Sequence, residues 1–278
     1  MINTFRSQLN EINSGASRPK NVDQTLVKKL GVLGSGLMGH GITYVSALSG
    51  IEVVMIDSSQ ENAEKGLSRI KNILYDSVKL GQTTQENAEK VLNHITATDD
   101  YNNLQDCDLI IEAVFEDRDL KGQVTVQAEK IMDKNGTFAS NTSTLPISGL
   151  AKKSIRPEKF IGIHFFSPVH KMKLVEIIKG EKTNDETIAK AFDYVLKIRK
   201  IPIVVNDSRG FYTSRVFSTY TNEGLALLAE GNHPQEIELA GEKAGMPVGP
   251  LAVIDEVNLG LVARIRNQTR KDLAAEGK

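Results

Sequence analysis

Apolar positions along the chain follow two alternating rhythms as far as residue 206. Short, mainly apolar stretches at Leu30–Leu33, Val53–Ile56, Leu109–Ile111, Thr137–Ser140, Phe160–His164, Leu174–Ile178 and Ile201–Val205 read as strands, Val53–Ile56 buried in character. Between them the spacing changes to three and four. Met38, Ile42, Val45 and Leu48 fall on one helical face, as do Ala63, Leu67, Ile70, Leu74 and Val78. Two further helices are marked by Leu120, Val124, Ala128 and Ile131, and by Ile188, Ala191, Val195 and Ile198. Strand–helix alternation of this kind predicts an α/β domain with a mostly parallel sheet covered on both faces. After Asn206 the strand signals stop. Phe211–Glu230, Pro234–Ala244 ending at Gly245, and Leu251–Glu276 all carry helical spacing. A smaller all-helical C-terminal domain is therefore expected behind a boundary near residue 206.

The first 27 residues stand apart. Met1–Asn13 can form a short helix, and Ser14-Gly15-Ala16-Ser17-Arg18-Pro19-Lys20 reads as a linker. No apolar segment of the signal-peptide kind occurs there, and Glu11 with a thin apolar face argues against a mitochondrial presequence. The expected organisation is an N-terminal arm over 1–27, an α/β domain over 28–206 and a helical domain over 207–278.

Composition narrows the function classes. With 34 basic against 35 acidic residues the net charge is −1, which offers no extended surface for nucleic acid and no polybasic membrane anchor. No run approaches the roughly 18 apolar residues of a membrane span. The one cysteine, Cys107, excludes an internal disulfide framework and fits a reducing, cytoplasmic setting. No local cation lowers its pKa, so an inert thiol is expected.

Gly34-Ser35-Gly36-Leu37-Met38-Gly39 is a G-x-G-x-x-G directly after a strand and directly before a helix. In that place each glycine has a task. Gly34 permits the tight turn, Gly36 admits a pyrophosphate to the backbone, and Gly39 lets helix and strand pack closely. The helix N-terminus, with Leu37 and Met38 in its first turn, then presents N–H groups and positive dipole to phosphates. Asp57 ends the second strand eighteen residues after Gly39, where an acid takes ribose hydroxyls. Ser58-Ser59-Gln60 follow without an arginine for a 2′-phosphate, so NAD is expected rather than NADP. The α/β domain is accordingly of the Rossmann type.

Of the five histidines, His164 closes a strand, and the carboxyl ends of strands face the ligand crevice in such sheets. Twelve residues on, Glu176 lies in Met172–Ile178, where alternation places it with Met172, Leu174 and Ile178 on one apolar face. A carboxylate there costs several kcal/mol unless paired. A histidine partner would make a general base with an orienting acid, suited to removing an alcohol proton as hydride leaves. Pairing of Glu176 with Lys173 or Lys179 is an equal reading on spacing alone. Asn141-Thr142-Ser143-Thr144 also ends a strand; its hydroxyls can reach the crevice, although an Asx or ST turn is the plainer role. His40 is expected on the helix surface, His94 and His170 in loops or strand edges, and His233 just before a helix-starting proline. The acids Asp106, Asp108, Glu116, Asp117 and Asp119 lack the His or Cys company of a metal site, so no metal is expected.

Together these stretches resemble the L-3-hydroxyacyl-CoA dehydrogenase family over about residues 28–260. The matching pieces are Gly34–Gly39 with Asp57, Glu112-Ala113-Val114-Phe115-Glu116-Asp117, Ala139–Ser143, His164–Pro168 with Lys173–Glu176, and Gly210-Phe211-Tyr212. The resemblance implies that His164 is the catalytic base, that Glu176 orients it, and that Ser143 binds the substrate oxygen. It also implies that Glu116 and Lys121 lie beside NAD. The implied reaction oxidises an (S)-3-hydroxyacyl-CoA to the 3-ketoacyl-CoA in fatty-acid β-oxidation. Alternatives are a relative acting on a free hydroxy or sugar acid, and a non-catalytic NAD-binding module. Lys71 and Lys79 are candidate contacts for the CoA phosphate, with ordinary solvated lysines the plainer reading.

The chain departs from the family in two places. Ser167 and Ser214 stand where the family usually has Asn. Serine reaches about one bond less far, and misplacement on the order of 1 Å can cost about 100-fold in rate. The arm resembles the linker of multifunctional fatty-acid oxidation proteins, and the charged tail Arg270–Lys278 stands where the family's helical domain normally continues, so a piece of a larger polypeptide or a shortened relative is expected, with the helical domain incomplete. A homodimer or a larger multifunctional assembly is the partner expectation, since uncovered apolar helix faces need covering.

Overall fold

The computed structural model describes residues 2–256 together with 267, 269, 270 and 274. The expected helix Leu251–Glu276 therefore lies mostly outside the described residues. The chain divides into two compact units, residues 1–211 and 212–278.

The first unit is built on one eight-stranded sheet: β1 (Lys29–Leu33), β2 (Glu52–Ile56), β3 (Ile95–Thr98), β4 (Leu109–Glu112), β5 (Thr137–Ser140), β6 (Phe160–Phe165), β7 (Leu174–Lys179) and β8 (Ile201–Asn206). Their order is β3-β2-β1-β4-β5-β6-β7-β8. All neighbours run parallel except β6 and β7, which are antiparallel. The helices are α1 (Ile2–Asn13), α2 (Leu37–Leu48), α3 (Gln60–Lys79), α4 (Gln85–Asn93), α5 (Arg118–Glu129), α6 (Ile147–Ala151) and α7 (Asp185–Lys197). The mostly parallel, doubly covered sheet and the helical segment behind it agree with the sequence pattern.

Two buried apolar layers explain the mainly apolar strands. One face of the sheet carries Leu30, Val32, Ile111 and Ile163 with Ile42 of α2 and Phe192 of α7. The other carries Leu33, Ile110, Phe138 and Ile178 with Val124 and Ala128 of α5. A strand buried on both faces shows no alternation, because both sets of side chains leave water. Tyr194 of α7 is fully buried and its hydroxyl lies 2.8 Å from Ser46 Oγ of α2, so the large ring is buried without an orphaned polar atom.

Three differences from the sequence pattern have local causes. Strand β3, Ile-Thr-Ala-Thr, has no apolar run because it is a half-buried edge. Helix α4 before it is started by Thr84, whose hydroxyl accepts from Asn87 N at 3.2 Å. Strand β7 begins at Leu174, so Met172 lies outside it and is 40% exposed rather than sharing the apolar face of Glu176.

The arm is fastened to the sheet unit. Arg18 reaches Asp193 of α7 through Nε (2.7 Å) and Nη2 (2.9 Å), and donates to the carbonyls of Pro19, Val22 and Asp23. Thr25 N adds a bond to the same carboxylate.

The second unit contains α8 (Thr213–Ala229), α9 (Pro234–Lys243) and α10 (Pro250–Glu256). Tyr220 Oη donates to Val248 O at 2.8 Å, and Glu238 Oε1 accepts from Leu251 N at 2.7 Å, capping α10 from α9. Val216, Phe217, Leu225, Leu228 and Leu239 are exposed large apolar side chains in this unit. Among the described residues no helix is long and apolar enough to cross a membrane.

Candidate active site

The glycine loop joins β1 to α2 with the geometry its residues require. Gly34 has φ +97°, a left-handed conformation that side chains resist, and its N–H donates to Ile56 O at 2.7 Å. A Cβ on Gly39 would collide with the Gly34 carbonyl, whereas one on Gly36 would meet nothing within 4 Å. Gly36 thus faces open space beside the α2 N-terminus, where Leu37, Met38 and Gly39 carry N–H groups outside the helix's own ladder. That is a cradle for an anion.

Asp57 sits at the end of β2 and orders this loop. Its Oδ2 accepts from Ser35 N and Ser35 Oγ, both at 2.7 Å, and its Oδ1 from Ser58 N at 2.7 Å and Ser58 Oγ at 3.1 Å. Burial pushes the carboxyl pKa up, but the four donated bonds outweigh it and hold the group below its ordinary value. A cavity of about 540 Å³ opens here. Its walls include Gly34, Gly36, Met38, Asp57, Tyr101 and Phe115, a mainly apolar lining with one acid placed for a ribose. Lys65 and Arg69 also line it, which the sequence pattern did not bring near Asp57. Lys65 is paired with Glu61 (2.7 Å), and Arg69 Nη1 donates to Ser35 O (3.2 Å). The glycine cradle, the acid and the apolar walls fit a dinucleotide.

His164 and Glu176 face each other across the antiparallel β6–β7 pair. His164 Nδ1 lies 2.7 Å from Glu176 Oε2, with the glutamate side chain fully buried and the histidine side chain 8% exposed. A carboxylate can only accept, so Nδ1 carries the hydrogen and Nε2 is the nitrogen left to take a proton. Glu176 thus pairs with His164 in preference to Lys173 or Lys179. The His164 ring is flanked by Phe166 at 4.5 Å and Phe211 at 6.0 Å between centroids.

The segment after β5 carries Ser143. Asn141 Oδ1 accepts from Phe165 N at 2.9 Å, which ties this segment to the end of the histidine strand. Thr142 Oγ1 accepts from Thr144 N (3.3 Å) and Leu145 N (3.0 Å), the ST turn that its residues favour. Glu116 Oε1 accepts from Thr142 Oγ1 (2.5 Å), Ser143 N (3.2 Å) and Thr144 Oγ1 (3.1 Å). Burial pushes the Glu116 pKa up; the Lys121 charge and the threonine hydroxyls outweigh it and hold the carboxyl below the ordinary range. Lys121 is buried, with Nζ 2.7 Å from Glu112 Oε1 and 3.3 Å from Glu116 Oε2. Glu116 therefore holds the serine segment, and Lys121 pairs with Glu116. Ser214 is carried by α8 of the second unit.

Elsewhere, His40 is half-buried rather than a surface residue, its Nδ1 2.7 Å from Gly36 O. Burial and the Arg69 charge lower its pKa against that bond. Cys107 is buried, and burial pushes its thiol up to about 12, which leaves it unreactive. Among the described residues no group of three or more His, Cys, Asp and Glu side chains has a metal-binding arrangement. Glu112 heads a stretch that carries the family resemblance, which implies no role for it; the signal in the sequence is an acid ending an apolar strand nine residues before a lysine.

Comparison with known proteins gives two family matches. Residues 29–208 match the 3-hydroxyacyl-CoA dehydrogenase NAD binding domain, and residues 210–277 match the C-terminal domain of the same family. The fatty acid oxidation complex subunit alpha of Shewanella amazonensis is 39% identical over 269 residues. That alignment covers 96% of this chain and 37% of that protein, so the chain spans little more than a third of the curated relative's length. The crystal structure of (S)-3-hydroxybutyryl-CoA dehydrogenase from Ralstonia eutropha is 34% identical, with a TM-score of 0.85 over 90% of this chain and 89% of that one. The 3-hydroxybutyryl-CoA dehydrogenase of Escherichia coli K12 is 31% identical, with a TM-score of 0.83 over 87% of this chain and 53% of that one. The chain thus belongs to the 3-hydroxyacyl-CoA dehydrogenase family, oxidoreductases acting on CH–OH, with NAD the cofactor of the N-terminal domain.

Proposed function

We propose that this chain oxidises (S)-3-hydroxyacyl-CoA esters to 3-ketoacyl-CoA esters in fatty-acid β-oxidation, with His164 as the general base. The observation that carries the reading is the buried 2.7 Å contact between His164 Nδ1 and Glu176. It sets one tautomer, so that Nε2 can take the C3 hydroxyl proton, and the carboxylate stabilises the imidazolium that results. Gly34, Gly36, Leu37, Met38 and Gly39 would hold the pyrophosphate of NAD, and Asp57 the ribose. Bound NAD⁺ supplies the acceptor for the hydride that leaves C3. Ser143 binds the substrate oxygen, and Ser214, at the family's usual Asn position, is a further catalytic residue; both assignments rest on the resemblance. In the reverse direction His164 returns its proton to the oxygen of the keto group.

A buried, unpaired Cys107 suits a reducing cytoplasm. The exposed apolar side chains of α8 and α9 suit a homodimer or a larger multifunctional fatty-acid oxidation assembly.

The test is acetoacetyl-CoA-dependent NADH oxidation by the purified chain, beside its His164→Ala variant and beside free acetoacetate. Turnover of the thioester that His164→Ala abolishes supports the reading. Equal use of the free acid would move the function to a hydroxy-acid dehydrogenase. NADH binding without turnover would make the chain a cofactor-binding module.

A further inference from the structure

Five residues of the first unit close a ring of hydrogen bonds. Glu112 Oε2 accepts from Ser140 Oγ at 2.7 Å, and Ser140 Oγ accepts from Thr142 N at 3.3 Å. Thr142 Oγ1 donates to Glu116 Oε1, Glu116 Oε2 lies 3.3 Å from Lys121 Nζ, and Lys121 Nζ returns to Glu112 Oε1 at 2.7 Å. Glu112 also accepts from Val114 N at 2.8 Å. Its side chain is 1% exposed and that of Lys121 3%, so both charges are out of water and depend on each other.

The ring spans two segments with different tasks. Val114 and Phe115 line the dinucleotide cavity, and Ser143 follows Thr142 directly. Glu112 ends β4 and Ser140 ends β5, and the two are register partners in the parallel pair. Their side chains meet because parallel neighbours in register present the same face. The ring carries two carboxylates against one ammonium. Removing one of its charges leaves another buried with too few partners, and such networks respond as units.

We propose that Glu112 is a positioning residue that couples the cofactor-side segment 113–116 to the serine segment 141–144. It fixes Val114 on one side directly and Thr142 on the other through Ser140. Loosening it disturbs both segments at once, because its carboxylate is shared among Val114 N, Lys121 Nζ and Ser140 Oγ. The proposal rests on the dehydrogenase reading for its catalytic consequence but not for its effect on cofactor binding.

The experiment compares Glu112→Gln and Ser140→Ala with the parent, with Glu129→Gln as control. Glu129 is also a buried acid of α5, but it binds Ser154 Oγ and Ile155 N, away from the ring. Circular dichroism selects folded protein, NADH fluorescence gives Kd, and acetoacetyl-CoA reduction gives kcat and KM. Folded Glu112→Gln is expected to bind NADH at least fivefold more weakly and to lose at least tenfold in kcat. Glu129→Gln should lose stability with Kd and kcat within twofold of the parent. Either quantity unchanged in Glu112→Gln would overturn the coupling. Should Glu112→Gln not fold, Ser140→Ala decides, because it removes one small hydroxyl from the ring. A threefold or larger loss of kcat with NADH Kd unchanged supports the proposal, and an unchanged kcat sinks it. If the parent proves inactive, the dehydrogenase reading fails, while the fivefold change in NADH Kd still decides the cofactor arm of the ring.

Discussion

His164 and Glu176 lie directly opposite one another across the antiparallel β6–β7 pair, with Nδ1 2.7 Å from Oε2. Opposite residues in an antiparallel pair project to the same face, so a base and its orienting acid need only the right register. The placement also explains why a fully buried carboxylate is tolerated in an otherwise apolar strand.

Replacing Glu176 by Gln keeps the volume and one acceptor but removes the charge and the preference for one tautomer. We expect kcat to fall by about 10² to 10⁴-fold, with a displaced pH–rate profile and an NADH Kd near that of the parent. An unchanged profile would make the pair structural. His164→Ala should abolish turnover and also destabilise, because it removes one partner of a buried ion pair at a cost of about 3–5 kcal/mol; His164→Gln can still donate to Glu176, and serves as the fold-preserving partner variant.

Asp57→Ala removes four hydrogen bonds to Ser35 and Ser58 as well as the acid beside the cavity. NADH affinity should drop by about tenfold or more, roughly 1.4 kcal/mol, and kcat at saturating NADH should change less than threefold. Isothermal titration beside steady-state kinetics separates the two. A kcat loss with unchanged affinity would remove Asp57 from the cofactor site.

Glu116 gives a pH-dependent contribution to stability. Its folded pKa is held below the unfolded value, so the unfolded chain binds the proton more readily across the interval between them. The contribution is fully present above the unfolded value and is lost as pH falls through the folded one. Thermal melts should therefore show Glu116→Gln less stable than the parent at pH 7 and losing less on acidification. Parallel melting curves down to low pH would falsify the linkage.

Arg18→Ala breaks a part-buried bidentate pair whose carboxylate, Asp193, is itself buried, and leaves the Thr25 N–H to bond that carboxylate from the arm. A loss of about 3 kcal/mol is expected, or roughly 6–12 °C in Tm for a unit of about 200 residues. Proteolysis should open first within residues 14–25. Unchanged melting and digestion patterns would show that the arm is held by something other than Arg18.

Much of this protein is written locally in its sequence. Seven of the eight strands and the large helices follow from apolar runs and three-four spacing, because burial on a sheet or helix face is decided by residues close in the chain. The glycine loop and its acid were legible for the same reason, since strand, turn and helix N-terminus are contiguous. Only tertiary structure chose between His164 and the neighbouring lysines as the partner of Glu176, because strand register sets which side chains meet. It alone brought Arg18 to Asp193, 175 positions away, and closed Glu112, Ser140, Thr142, Glu116 and Lys121 into one ring. It also put the half-polar strand Ile95–Thr98 at the sheet edge. A buried charge must find its partner across the sheet, and sheet order and register are properties of the whole fold rather than of any window of sequence.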